Sequence, residues 1–170
     1  MAGSIPMTLL ARQLALLGDR FKTRYPHPWL VWEPNGSVRA ADAKEADAGR
    51  THVPKGGARS RPEGSDAMCF AVGPDKQVRV GRATSNDIVI DDMTMSREQF
   101  LLFQEGDTWH LALAEPVTCA TFVRRMSVQP KKPVFLVDGC TIAAGDVELT
   151  FYEGASIVDR LQSELKRQGA

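Results

Sequence analysis

Apolar positions near the start of the chain fall at helical spacing. Leu10, Leu14, Leu17 and Phe21 step by 4, 3 and 4 residues, which places them on one face of a helix. Arg12, Gln13, Asp19, Arg20 and Lys22 supply the polar faces. Pro6 suits a first helical turn and Tyr25-Pro26-His27-Pro28 stops the element, so the spacing predicts a helix over 6–24. Its stripe has to be covered, either by the chain's own domain or by a partner or second copy. Trp29-Leu30-Val31-Trp32 then predicts a short strand, with Asn35-Gly36 as a turn signal. Between Ala40 and Asp66, Val53 is the single large apolar residue in an Ala-, Gly- and charge-rich stretch. So little apolar surface does not offset the entropy of ordering, and a flexible linker is expected.

From Met68 the period changes to two. Val78 and Val80 alternate with Gln77 and Arg79, Trp109, Leu111 and Leu113 with His110 and Ala112, and Val147, Leu149 and Phe151 with Glu148 and Thr150. Two shorter apolar runs, Ile88–Ile90 and Gln99–Phe103, lie between them. Turn signals at Gly73-Pro74-Asp75, Asn86-Asp87, Glu105-Gly106-Asp107, Asp138-Gly139 and Gly145-Asp146 separate the runs. Short strands with closely spaced turns, and no helical period between them, predict an all-β sandwich rich in antiparallel pairs. Ile157, Val158, Leu161 and Leu165 return to helical spacing, with Lys166 and Arg167 favourably near the negative end of the helix dipole. The expected fold is thus an all-β sandwich with flanking N- and C-terminal α-helices. The expected division is 1–33 for the N-terminal helix and a short extended segment, 34–66 for the linker, 67–153 for the sandwich and 154–170 for the C-terminal helix.

Composition narrows the function. At 170 residues and 43% apolar, the chain suits one core with appendages. Lys+Arg and Asp+Glu both number 21, a balance that argues against a nucleic-acid partner; the basic pairs Arg124-Arg125 and Lys131-Lys132 are a local counter-hint. Cys69, Cys119 and Cys140 are scattered, as are His27, His52 and His110. This predicts reduced thiols in a cytoplasmic protein, with no metal and no cofactor. No run approaches the ~20 apolar residues that span a bilayer, so no membrane partner is expected. Arg12 and Gln13 break the N-terminal apolar segment, which does not read as a signal peptide. No nucleophile, base or metal constellation points to an enzyme. Asp91-Asp92 are successive residues whose side chains normally diverge along a strand.

The candidate chemistry lies in Gly81–Phe100, GRATSNDIVIDDMTMSREQF. Gly81 ends a strand where close backbone approach is allowed, Arg82 follows it, and Ser96-Arg97 precedes the strand after next. Gly-Arg, Asn-Asp-Ile and Ser-Arg at this spacing, with β-alternation on both sides, resemble the signature of the forkhead-associated (FHA) domain, a phosphothreonine-binding β-sandwich. The resemblance runs over roughly 68–152. It implies that the loops of Arg82, Ser96-Arg97 and Thr118 gather at one end of the sandwich. Arg82 would clamp phosphate, Ser96 would bind it, Arg97 and Thr118 would add contacts, and Thr94 would reach peptide side chains beyond the phosphothreonine. Two positions depart from the family pattern. Gln99 stands where a loop-bracing histidine is usual, and Cys119-Ala120-Thr121 where Asn-Gly-Thr is usual, the asparagine there holding the peptide backbone. The resemblance implies a phosphothreonine-peptide adaptor downstream of Ser/Thr kinases. The alternative is a degenerate FHA scaffold that binds partners or itself without phosphate, through its amphipathic helices.

Overall fold

The computed structural model describes residues 3–34, 65–73, 75, 77–116 and 119–169. The expected linker lies almost entirely outside the described residues. In chain order the elements are β1 (Ser4–Pro6), α1 (Met7–Leu17), α2 (Arg20–Arg24), β2 (Trp29–Trp32), β3 (Met68–Ala71), β4 (Gln77–Gly81) and β5 (Ile88–Val89). There follow β6 (Phe100–Glu105), β7 (Thr108–Leu113), β8 (Thr121–Val123), β9 (Met126–Ser127), β10 (Val134–Phe135), β11 (Thr141–Ala144), β12 (Val147–Tyr152) and a C-terminal helix α3 (Gly154–Gln168). Among the described residues the strands form two sheets, one ordered β1-β3-β2-β12-β11-β8-β9 and the other β10-β7-β6-β4-β5. Every pair is antiparallel except β4 with β5. The all-β sandwich with a helix at each end of the chain is therefore the observed fold.

The period-two pattern is what makes the two sheets face each other. Val78 and Val80 of β4, Phe100 and Leu102 of β6 and Leu111 of β7 meet Ile142, Val147, Leu149 and Phe151 from the opposite sheet in one buried cluster. Successive strand residues point to opposite faces. The second face of the larger sheet therefore carries Trp29, Val31 and Cys69, and these are buried too, under Met7, Leu10, Leu14, Phe21, Ile157 and Leu161 of the helices. The N-terminal stripe is thus covered by the chain's own sheet and by α3. The sheet beneath them also explains why Trp29-Leu30-Val31-Trp32 is apolar at every position: a strand covered on both faces needs no polar side.

Two expectations are corrected. The segment 29–32, assigned by sequence to an N-terminal unit outside the sandwich, lies inside the larger sheet. Leu30 pairs with Phe70 on one side and Phe151 on the other. The predicted helix over 6–24 is two helices. Gly18 has φ 53°, a left-handed conformation that ends α1, and its N–H donates to the Leu14 carbonyl at 2.9 Å. The turn redirects the chain so that Phe21 still enters the helix-covered core.

The start of α1 is held from far along the chain. Pro6 provides no side-chain cap. Asp66 instead accepts from the Thr8 N–H at 3.3 Å and from the Thr8 hydroxyl at 2.5 Å, and the Met7 N–H donates to the Ala67 carbonyl at 2.8 Å. A carboxylate at a helix N-terminus satisfies orphan donors and complements the dipole. On the other side of this layer, Arg160 of α3 reaches Glu33 and Glu164, each at 3.5 Å. Burial pushes the Glu33 carboxyl above its ordinary range against the opposing pull of Arg160.

Candidate functional site: a loop end built around Arg82 and Ser96

Gly81 is where two loops meet. A Cβ at this position would lie 2.3 Å from the Arg97 carbonyl oxygen, so no larger residue fits without moving backbone. The contact brings the 82–87 loop against the 91–99 loop, and main-chain bonds fasten them. The Arg82 N–H donates to the Ser96 carbonyl at 3.0 Å, and the Ala83 N–H to the Arg97 carbonyl at 3.0 Å. Asn86, which is buried, donates from Nδ2 to the carbonyls of Ala83 at 2.8 Å and Arg97 at 2.7 Å. Arg82 and Ser96 flank β5 in sequence, and they become neighbours because the second loop folds back along the first.

The side chains follow from this backbone. Arg82 is half-buried, and its Nε–H donates to the Met95 carbonyl at 3.2 Å, which holds the guanidinium against the 91–99 loop. Ser96 is buried, and its Oγ accepts the Cys119 N–H at 3.2 Å, so the third loop closes onto the same hydroxyl. Arg97 holds the loops together through its carbonyl and sends its side chain into solvent. Among the described residues neither Arg82 nor Arg97 forms an ion pair. The salt bridge from Arg82 to Asp91 or Asp92, the plainest rival to a ligand role, is thus not formed. Thr118 lies outside the described residues.

Thr94 has a different occupation. Its hydroxyl donates to Asp92 Oδ1 at 2.5 Å and accepts the Asp146 N–H at 2.8 Å. A Cβ on Gly145, whose φ is 59°, would come within 2.4 Å of that hydroxyl oxygen. Thr94 therefore pins the 91–99 loop to the β11–β12 turn of the opposite sheet, and its hydroxyl is already bonded in both senses.

Gln99 is the brace that sequence reasoning located without its geometry. Fully buried, it accepts the Ser96 N–H at 2.8 Å through Oε1. Through Nε2 it donates to the Cys119 carbonyl at 2.8 Å and to Thr121 Oγ1 at 2.9 Å. One amide thus ties the loop of Ser96 to the loop of Cys119. Asn86, a turn signal in the sequence, also clasps two loops. The signal for that was available: an asparagine in a loop next to a glycine-mediated backbone contact. At Cys119 partial burial raises the thiol above its ordinary range, so it stays protonated and unreactive at neutral pH.

Chemically, the end of the sandwich offers one guanidinium, one buried hydroxyl and one exposed arginine at the rim. Such a group of donors matches a dianionic tetrahedral ligand, because arginine presents a planar fork to phosphate oxygens and hydroxyls donate to the remainder. Among the described residues no cluster of potential metal ligands occurs. Among the same residues no helix is long and apolar enough to cross a membrane.

Comparison with known proteins agrees with this geometry. The family model of the FHA domain matches residues 78–145. The oxoglutarate dehydrogenase inhibitor of Corynebacterium jeikeium is 29% identical over 133 residues, which is 72% of this chain and 90% of that protein. Among solved structures, the FHA domain of an Arabidopsis thaliana hypothetical protein aligns with a TM-score of 0.51 at 19% identity, over 75% of this chain and 85% of that one. The FHA domain of a Chlamydia trachomatis protein aligns with a TM-score of 0.50 at 15% identity, over 75% of this chain and 97% of that one. The loops joined through Gly81, Arg82 and Ser96 lie inside the matched span, so residues 78–145 carry the similarity to the FHA domain.

Proposed function

We propose that the chain is a cytoplasmic phosphothreonine-binding adaptor that recruits a protein phosphorylated by a Ser/Thr kinase and carries out no chemistry itself. Arg82 clamps the phosphate, Ser96 donates its hydroxyl, and Arg97 closes the rim. Thr118 adds a contact from the third loop. Thr94 acts at one remove by fixing the loop that carries Ser96. The observation that carries this reading is the pair of bonds from Arg82, its N–H to the Ser96 carbonyl and its Nε to the Met95 carbonyl, which hold a cation against the loop that carries Ser96. A phosphothreonine carries about −1.5 to −2 charges and three acceptor oxygens. Charge-assisted hydrogen bonds contribute ~1.5–3 kcal/mol each. A micromolar complex has only about 8 kcal/mol in total, so two such bonds decide whether a phosphorylated target is told from a plain one.

A second reading is binding of a protein partner without phosphate. Cys119-Ala120 favours it, because a protonated, partly buried thiol is a poor holder of a peptide backbone. So does a relative named for inhibiting an enzyme. Titration of phosphothreonine peptides and their unphosphorylated forms against wild type and Arg82→Ala separates the two. The adaptor reading expects phosphate-dependent binding that weakens about 10- to 100-fold in the variant. Binding that ignores the phosphate, or that Arg82→Ala leaves unchanged, gives the second reading the field.

A further inference from the structure

The helix layer buries its apolar stripes against the larger sheet, yet α1 keeps two leucines outside. Leu16 is 86% exposed, the most exposed large apolar side chain among the described residues, and Leu9 is 47% exposed. Seven residues apart, they share the face of α1 opposite the buried Met7, Leu10 and Leu14, ~10 Å from each other along the axis. Arg12 lies between them on that face and is exposed. Arg20, Lys22 and Arg24 follow on α2, exposed around the buried Phe21.

Charge separates in the same place. From Met7 to Tyr25 the chain holds four basic residues, Arg12, Arg20, Lys22 and Arg24, against the single acid Asp19. Residues 65–170 hold 11 basic and 15 acidic residues. The zero net charge of the chain therefore hides a basic hairpin of helices on an acidic body. Among the described residues none of the four hairpin cations forms an ion pair, so their charge is open to a partner.

We infer that the outer face of the α1–α2 hairpin is a docking surface for an anionic lipid bilayer, with Leu9 and Leu16 entering the interface and Arg12, Arg20, Lys22 and Arg24 facing the headgroups. Protruding aliphatic side chains beside basic ones hold a helix in the plane of an acidic membrane, and the acidic body orients the chain with its hairpin toward that surface. The contact is peripheral, since among the described residues no helix is long and apolar enough to cross a bilayer. A second copy is a poorer occupant, because a two-fold axis would set two like-charged hairpins against each other. The face lies on the outside of the larger sheet, whereas the Arg82 and Ser96 loops lie at strand ends, so the inference stands apart from the phosphopeptide reading. Each Lys or Arg near an acidic membrane adds about fivefold to partitioning, and the hairpin's surplus of three charges should therefore favour anionic over neutral vesicles by about a hundredfold.

The test is co-sedimentation of the full chain with vesicles of phosphatidylcholine alone and of phosphatidylcholine carrying about one-third phosphatidylglycerol. Wild type is expected to partition about a hundredfold more strongly onto the anionic vesicles and to lose that margin as salt rises. Arg20→Gln with Lys22→Gln and Arg24→Gln is expected to remove most of the margin. Leu9→Gln with Leu16→Gln is expected to weaken binding about three- to tenfold at every salt concentration. Lys131→Asn with Lys132→Gln removes two exposed cations from the acidic body and is expected to change binding by less than about twofold. Unchanged urea midpoints verify that the variants are folded. Equal partitioning onto both vesicles, no partitioning, or binding unchanged in either hairpin variant overturns the inference. So does an equal loss in the Lys131 and Lys132 variant, which would mean that net charge is read and not the hairpin. If lipid-free wild type sediments as a dimer that Leu9→Gln with Leu16→Gln disperses, the face belongs to a second copy and the lipid assignment falls.

Discussion

Replacing Gln99 with leucine removes a buried amide that serves three partners. Leucine nearly matches its volume, so the cavity contribution is small and the cost is polar. The Ser96 N–H loses its acceptor at 2.8 Å, Thr121 Oγ1 loses a donor at 2.9 Å, and the Cys119 carbonyl loses a donor at 2.8 Å. Ser96 and Thr121 are buried, so water does not replace the lost bonds there, and each orphaned group costs ~1–3 kcal/mol. Cys119 is partly exposed and recovers most of its loss through solvent. The leucine gains some apolar burial in return, which leaves a net destabilisation of ~2–4 kcal/mol. That is a large share of the ~5–15 kcal/mol of a typical domain. Urea unfolding followed by tryptophan fluorescence should show the midpoint falling by ~1–2 M at an unchanged slope of ~2 kcal/mol/M. Gln99→His restores one donor and one acceptor and should recover about half the loss. Phosphopeptide affinity should fall with Gln99→Leu even at urea-free stability, because the Ser96 and Cys119 loops separate. A loss below ~1 kcal/mol would refute the reasoning, since it would mean the three partners are satisfied without the amide.

Three further outcomes follow from the same contacts. Gly81→Ala places a Cβ 2.3 Å from the Arg97 carbonyl oxygen, so it should destabilise the chain by ~1–3 kcal/mol in thermal or urea unfolding and weaken phosphopeptide binding. Asp66→Ala removes the cap on α1 and should cost ~0.5–2 kcal/mol in the same unfolding assays with phosphopeptide affinity unchanged, because the cap lies at the helix layer. Glu33 has its folded pKa raised by burial, so the folded state binds the proton more tightly than the unfolded one. Its contribution to stability is greatest when protonated and declines as pH rises from the ordinary glutamate range through the raised folded value. Unfolding measured across acid to neutral pH should therefore lose part of that decline in Glu33→Gln.

What the sequence revealed and what it hid divide along physical lines. Strand alternation exposed the two sheets, because a sandwich buries one face of each strand and period two is its direct consequence. The convergence of Gly81, Arg82 and Ser96-Arg97 was legible because a tight backbone crossing requires glycine. The position of Trp29–Trp32 was hidden, since a run of apolar residues looks alike whether it sits beside a sandwich or inside one. Its sheet partners are Met68–Ala71 and Val147–Tyr152, far away in sequence. The break at Gly18 was masked by an apolar stripe that continues through it to Phe21. The cap from Asp66 to Thr8, the Glu33–Arg160 pair and the bond from the Asp146 N–H to the Thr94 hydroxyl are pairings over long separations that no local pattern encodes.

The Thr94 pairing is one of several that hold the Ser96 loop rigid. The Ser96 loop is held from four directions: by Gly81 and Arg82, by Asn86, by Gln99, and by Thr94 against Gly145 and Asp146. Two of these anchors belong to the smaller sheet's own loops, and the Thr94 anchor belongs to the opposite sheet. Gln99 reaches the loop that leads into β8 of that opposite sheet. A loop tied to both sheets does not have to be ordered when a ligand arrives. Each side chain or loop residue fixed beforehand spares an entropic cost of order ~1 kcal/mol at binding. That saving matters most where only two or three phosphate contacts carry recognition. The same reasoning explains how the proposed phosphate site could be formed without the asparagine usual at Cys119. The asparagine position would act on the peptide backbone, whereas the geometry of Arg82 and Ser96 is set by Gly81, Asn86, Thr94 and Gln99, none of which depends on the Cys119 side chain.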